Sequence, residues 1–251
     1  MKLTVQCVVK NEPMLYYAVK SVYNYVDHIM LWDTGSDDHT LEDIKQLLAE
    51  DRAKKIDFKT VKLEADDMSW SVNTYKQVRA ANKNKRGIGF IRKEMLESTK
   101  TPYFMVLDGD EVHYRQTMGQ VIKAINNWPT GKVCGFLPMN WYCDPQHIFR
   151  YSPVWGRLFK TDSVGMTTQS PGEMHTVKAT GVSLAFTNPA SFLVEDCLPM
   201  AHFETMLRPW RRPVRDPVIG PALPEVMLEN PYYLDRFLAT PRKTYKDYFN
   251  D

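Results

Sequence analysis

Hydrophobic positions follow two periods that alternate along the first 110 residues. Leu3 to Val9 is apolar and β-branched and stops at Lys10-Asn11-Glu12-Pro13, where proline ends strand pairing and suits a helix start; the run predicts a first buried strand. Met14, Leu15, Ala18, Val19, Val22 and Tyr23 then recur at helical spacing. His28-Ile29-Met30-Leu31-Trp32 predicts a second short strand, closed by the turn residues Asp33-Thr34-Gly35-Ser36. Thr40 is the expected cap of a second helix with Leu41, Ile44, Leu47 and Leu48 on its apolar face. Ile56 to Val61 predicts a third strand, and a helix beginning near Arg92 leads into a fourth, Tyr103 to Leu107. Alternating strand and helix predicts an α/β fold with a doubly wound parallel sheet, whose ligands lie beyond the carboxyl ends of the strands. Polar clusters at Asn11, Asp33 and Asp108 occupy three such ends.

After Asp110 the pattern loosens. A helix is expected from about Gln116 to Asn127 and a strand from Val133 to Leu137, followed by loop-rich sequence holding Trp141, Tyr142, Trp155 and Gly156. Seven prolines from Pro209 onward exclude long helices. The stretch 208–251 therefore reads as a proline- and arginine-rich extension, draped or mobile, following a domain over 1–207.

Composition bounds the answer. With 251 residues, 43% hydrophobic and 12% aromatic, the chain can bury one sizeable core, which excludes full-length disorder. No apolar run approaches the ~18 residues of a membrane span, and Lys10, Asn11 and Glu12 come too early for a signal peptide. A soluble, cytoplasmic protein is expected. Cys7, Cys134, Cys143 and Cys197 lie far apart without CxxC spacing, which indicates reduced and mostly buried thiols rather than zinc or disulfides. The net charge is only +2, but no acidic residue falls between Asp67 and Glu94, while Lys76, Arg79, Lys83, Lys85, Arg86, Arg92 and Lys93 accumulate there.

Asp108-Gly109-Asp110-Glu111 follows the buried run Tyr103 to Leu107, so three carboxylates crowd one strand end, where their repulsion is relieved by a cation. Mg²⁺ or Mn²⁺ takes oxygen ligands, binding through one or two carboxylates plus substrate phosphates. The plainer reading is an acidic turn that caps the next helix.

An apolar run followed by Asp108-Gly109-Asp110-Glu111 resembles the strand-four motif of the family-2 glycosyltransferases with the GT-A fold. Val8-Val9-Lys10-Asn11-Glu12 resembles that family's first-strand end, and Val26 to Thr40 resembles its second strand and turn. The likeness covers at least the first 115 residues. It implies a Rossmann-like, mostly parallel central sheet flanked by helices, an irregular acceptor-side C-terminal part, and a nucleotide diphosphate sugar donor. It further implies that Asp33 meets the nucleobase or ribose, that Asn11 and Glu12 line the nucleotide, and that Asp108 and Asp110 serve the metal, with Asp108 also at the donor. Turn formation by Asp33 and helix capping by Asn11 and Glu12 are the competing structural roles.

Arg92 stands 16 residues before Asp108, the separation of the family's phosphate-facing arginine, and Arg86 is its substitute. Pro153 to Lys160 resembles the R-L-F-R segment of a subset that includes lipopolysaccharide-core glucosyltransferases. Gly172-Glu173-Met174-His175-Thr176 resembles that subset's H-E motif, with threonine where glutamate is expected. The base of an inverting reaction must then be sought among Glu173, Glu195 and Asp196, a role typically worth ~10²–10⁴ in rate. His202 resembles the late histidine that completes the metal shell, and His175 is the alternative.

A nucleotidyltransferase would show a glycine- and arginine-rich first loop, which Lys10-Asn11-Glu12-Pro13 is not. A non-catalytic nucleotide-sugar or glycan binding module remains the reading from another class. For the acceptor, a glycan stands first. The basic 68–93 stretch and Arg208 to Arg215, with Trp70, Tyr75 and Trp210 interleaved, suit hydroxymethylated DNA of a bacteriophage as the second choice.

Overall fold

The computed structural model describes residues 2–63, 87–144, 146–149, 154–167, 174–181, 183–184, 188–203 and 217–229. Strand β1 (Leu3–Val9) is buried at every position and lies at the centre of the parallel part of the sheet. It pairs in parallel with β2 (His28–Asp33) on one edge and β4 (Tyr103–Leu107) on the other; β3 (Ile56–Thr60) adds in parallel to β2. Burial on both faces explains the nearly continuous apolar run of β1. Leu3, Val5, Cys7 and Val9 share a core with helices α1 (Leu15–Tyr23), α2 (Thr40–Glu50) and α4 (Arg115–Asn126). Val8 faces the other way, into a cluster with Ile91 and Met95 of α3 (Ile88–Ser98). Helices thus cover both faces, the α/β arrangement expected from the alternation.

Two helix starts differ from expectation. Helix α3 begins at Ile88, one turn before Arg92, so Arg92 sits inside the helix rather than at its N-terminus. Thr40 is the first helical residue of α2, and its amide is bonded by Asp38 Oδ1 at 2.9 Å. Its own hydroxyl is engaged elsewhere, by the Glu12 amide at 2.8 Å.

The second half is more regular than its sequence suggests. Beyond the two-residue β5 (Glu111–Val112), strand β6 (Cys134–Asp144) runs well past the expected Val133–Leu137, and β8 (Val154–Lys160) returns antiparallel between β6 and β4. Trp141 and Tyr142 therefore lie in β6, and Trp155 and Gly156 in β8, not in loops. Pro138 and Asn140 interrupt the apolar pattern of β6, but pairing on both edges carries the strand through. On one edge lie β8 and then β7 (His147–Phe149); on the other, in parallel, lie β11 (Ser191–Leu193) and then β12 (Met200–His202). Strand β12 also pairs antiparallel with β5, placing His202 opposite Glu111. A separate hairpin joins β9 (Val164–Thr167) to β10 (Met174–Val177).

Part of the C-terminal stretch is draped on this body. Strand β13 (Pro217–Ile219) pairs with β7, and the short helix α5 (Glu225–Glu229) buries Met227 in the core. The Tyr114 hydroxyl donates to the Ala222 carbonyl at 2.8 Å, and the Tyr142 hydroxyl to that of Pro221 at 3.0 Å. Cys7 and Cys134 are buried and Cys197 is half-buried, all as free thiols. Among the described residues no helix is long and apolar enough to cross a membrane.

Candidate active site

Strand register brings the three polar clusters to one edge. Val9 aligns with Asp33, and Cys7 with Leu107, so the chain leaves β1, β2 and β4 side by side. Asp33, buried at the end of β2, holds its own turn: its carboxylate accepts from the amides of Gly35 (3.1 Å) and Ser36 and from the Ser36 hydroxyl (2.5 Å). Gly35 has φ +102°, a conformation that favours glycine. Ser36 Oγ in turn accepts the Asn11 amide at 2.9 Å. Asn11 adopts φ 56° and exchanges two bonds with Asp37, from its Nδ2 to Asp37 Oδ1 (2.8 Å) and from the Asp37 amide to its Oδ1 (3.0 Å). Asn11 and Asp33 thus tie the first two strand ends together: Asp33 forms its turn, the structural role expected of it, whereas Asn11 does not cap α1, whose N-cap is Met14, and bonds Asp37 instead.

The third strand end meets the first through Gly109. A Cβ on Gly109 would lie 2.6 Å from Glu12 Cβ and 2.7 Å from its Cγ, so only glycine lets the carboxylate turn pass this closely. Arg92, fully buried in α3, reaches across with two bonds, from Nη1 to the Gln6 carbonyl (2.7 Å) and from Nη2 to Asp108 Oδ1 (3.2 Å). Its guanidinium braces Asp108 from below the site surface.

Arg157, the arginine of the segment that resembles R-L-F-R, completes the cluster, a role that the resemblance does not assign. From β8 its Nη2 donates to Asp108 Oδ2 at 2.7 Å and also to Glu111 Oε1. An arginine inside the otherwise apolar Val154 to Phe159 stretch was the available signal, because a charge on a buried strand demands partners. Desolvation pushes the Asp108 carboxyl up, but Arg157 and Arg92 outweigh it and hold it below the usual carboxylate range. Glu111 is the opposite case. Its burial raises it to about 8, with Arg157 opposing and Asp108 and Asp110 adding to the rise.

His202 arrives from β12 with its Nε2 3.6 Å from Asp110 Oδ1 and 3.9 Å from Glu111 Oε1. Its Nδ1 is buried and has no hydrogen-bond partner among the described residues. Among the described residues no three His, Cys, Asp or Glu side chains form a ready metal cage. The set fits a cation held jointly with substrate: three carboxylates face two guanidiniums, both Asp108 oxygens are engaged, and the Asp110–His202 pair supplies one oxygen and one nitrogen. His175, the alternative ligand, is packed instead on Phe159 with ring centroids 4.2 Å apart, and its imidazole is held down to about 3, chiefly by burial.

The expected base residues are not joined to this cluster by any contact among the described residues. Glu195 and Asp196 are exposed in the turn between β11 and β12, where the Asp196 carbonyl accepts from Gln116 Nε2 at 3.2 Å. Glu173 and Arg86 lie outside the described residues. So do Trp70, Tyr75, Trp210 and the basic residues that motivate a DNA acceptor, apart from Arg92 and Lys93. An open groove of about 720 Å³, lined by Tyr103, Trp128, Lys132, Lys160 and Lys178 among others, starts at the amino end of β4, away from Asp108.

No family model and no curated protein matches this sequence. Solved structures do align. TarS of S. aureus gives a TM-score of 0.47 at 12% identity, over 81% of this chain and 37% of that one. Glucosyl-3-phosphoglycerate synthase from Mycobacterium tuberculosis, in complex with Mn²⁺ and UDP-glucose, gives 0.35 at 13% identity over 56% and 43%. The mannosyltransferase PcManGT from Pyrobaculum calidifontis, in complex with GDP-Man and Mn²⁺, gives 0.40 at 10% identity over 63% and 44%. The chain spans less than two thirds of the length of each of these proteins.

Proposed function

We propose that this chain is a nucleotide-sugar-dependent glycosyltransferase of the GT-A type, with the donor's nucleotide across the ends of β1 and β2 and its diphosphate at Asp108-Gly109-Asp110. The observation that carries this reading is the convergence, at one sheet edge, of Asp33, Asp108 and Asp110 with His202 from far along the chain. Ligands of doubly wound sheets lie at that edge.

Manganese or magnesium is the expected cofactor, held by Asp110 and His202; bound there, it would supply a Lewis acid for the departing diphosphate. The chain's own groups supply orientation. Arg92 and Arg157 keep Asp108 ionised and fixed in direction. The Asp33 turn and the Asn11–Asp37 exchange hold the two loops that would frame the nucleotide. In an inverting displacement, Glu195, Asp196 or Glu173 would take the proton of the acceptor hydroxyl. The acceptor we assign is a glycan hydroxyl. The catalytic unit we assign is 1–207, with 208–251 as an extension whose described part, 217–229, packs on that unit.

The test is release of nucleotide from a panel of nucleotide sugars, beginning with UDP-glucose and GDP-mannose, with Mn²⁺ or with excess chelator. Metal-dependent release that Asp110→Ala abolishes is expected. No release from any donor, or full release in chelator, contradicts the reading. Among Glu173→Ala, Glu195→Ala and Asp196→Ala, one should lower turnover without weakening donor binding.

A further inference from the structure

Strand β8 outruns its neighbour. Its pairing with β4 extends from Tyr103↔Lys160 to Met105↔Leu158, so Val154 to Arg157 continue beyond that pairing toward the edge where β4 gives way to Asp108. The β6–β8 register shifts between Gly135 and Phe136, which leaves Arg157 as an extra residue and breaks the alternation there, so it is direct contact rather than period that sets Trp155 beside Arg157. Arg157 is buried against Asp108 and Glu111. Trp155 is 42% exposed, its ring centroid 5.6 Å from the Arg157 guanidinium carbon. Among the described residues it is the one aromatic side chain in the set of exposed large hydrophobics.

The indole adds a large apolar face with a polar N–H to the rim of the charged cluster. The sheet order β8-β4-β1-β2 puts it on the far side of the carboxylates from Asn11 and Asp33. If the nucleotide lies over β1 and β2, the molecule that meets Trp155 is therefore the acceptor. Arg92 and Arg157 are already paired with Asp108 and Glu111, which leaves no net positive charge beside the indole to hold a polyanion and suits a neutral ring. The weakly positive C–H face of a pyranose stacks on the electron-rich face of indole.

We propose that Trp155 is the acceptor platform: it stacks against the face of a neutral hexopyranose and presents that sugar's hydroxyl to the cluster at Asp108-Gly109-Asp110. This assignment rests on the glycosyltransferase reading for its place in the reaction, but sugar binding at Trp155 is measurable without turnover.

The experiment is saturation-transfer NMR on the full chain with the methyl α- and β-glycosides of glucose, galactose and mannose at millimolar concentration. Parent, Trp155→Ala and Trp155→Phe are compared, with far-UV circular dichroism melts as the folding control. At least one glycoside should receive saturation from the parent, lose it at least tenfold with Trp155→Ala, and keep most of it with Trp155→Phe. The proposal is overturned if none binds the parent, or if Trp155→Ala binds as the parent does. It is also overturned if only an oligonucleotide carrying hydroxymethyluracil binds in a Trp155-dependent way. Should Trp155→Ala melt early, the Phe variant decides: a tenfold loss there, in a folded protein, also overturns stacking. Donor hydrolysis is read in parallel, so that Trp155-dependent glycoside binding without hydrolysis overturns the enzyme reading alone. Hydrolysis without glycoside binding overturns the platform alone.

Discussion

Replacing Arg157 by methionine keeps most of the side-chain volume and removes the charge. Glu111, fully buried, then faces Asp108 and Asp110 without the Arg157 guanidinium, while Arg92 still pairs with Asp108 Oδ1. Removing one partner of a buried ion pair typically costs ~3–5 kcal/mol. The Asp108 side chain is 34% exposed, so solvent screens that half of the loss and the low end applies. A cost of about 3 kcal/mol lowers the melting temperature of a chain this size by roughly 6–12 °C. The assay is urea unfolding of the parent, Arg157→Met, Glu111→Gln and the double variant. Run at pH 9, above the value of about 8 to which burial raises Glu111, the cycle compares an ionised carboxylate with its neutral amide, so the double variant should recover more than ~1.5 kcal/mol relative to additivity. A single-variant loss under ~0.5 kcal/mol, or additive losses, would refute the claim that Arg157 exists to hold these carboxylates.

Gly109→Ala forces a contact of 2.6 Å on Glu12 Cβ, which is too close to the backbone to rotate away. It should cost about 1–3 kcal/mol by overpacking and displace the Asp108 turn; equal stability and equal donor binding would show that the approach is not tight. His113 and His175 are both held down to about 3, His113 by burial and Arg157, His175 by burial with Arg92 and Arg157. Neutral in the folded chain, they gain protons on unfolding once the pH falls below their ordinary 6.5, so stability drains between about pH 6.5 and 3. Urea titrations between pH 7 and 4 should show the His113→Asn/His175→Asn double variant taking up about two fewer protons on unfolding; an unchanged slope contradicts the assignment.

The first half of the fold is legible because its signals are local. The bounds of β1 and β4 agree with their apolar runs, and Asp33 and Asp108 mark strand ends because turn residues follow buried segments. What escaped depends on pairing at a distance. Nothing near Trp141 says that β6 continues, since its extension rests on neighbours contributed by β7, β8 and β12. The approach of His202 to Asp110 follows from the register of β12 on β5, which local pattern does not encode. Arg92 was singled out as a phosphate ligand, whereas its burial gives it a bracing contact with Asp108, a distinction that spacing alone does not make.

The most direct test of a donor site at this edge is electron paramagnetic resonance of Mn²⁺ titrated into the protein with UDP or GDP. Free Mn²⁺ signal should fall when protein and nucleotide are both present. It should return to the level of nucleotide alone with Asp110→Asn and with His202→Ala, while both variants stay folded. Unaltered Mn²⁺ uptake by those two variants, or none by the parent with any nucleoside diphosphate, would contradict the assignment of Asp110 and His202 as the metal-holding pair.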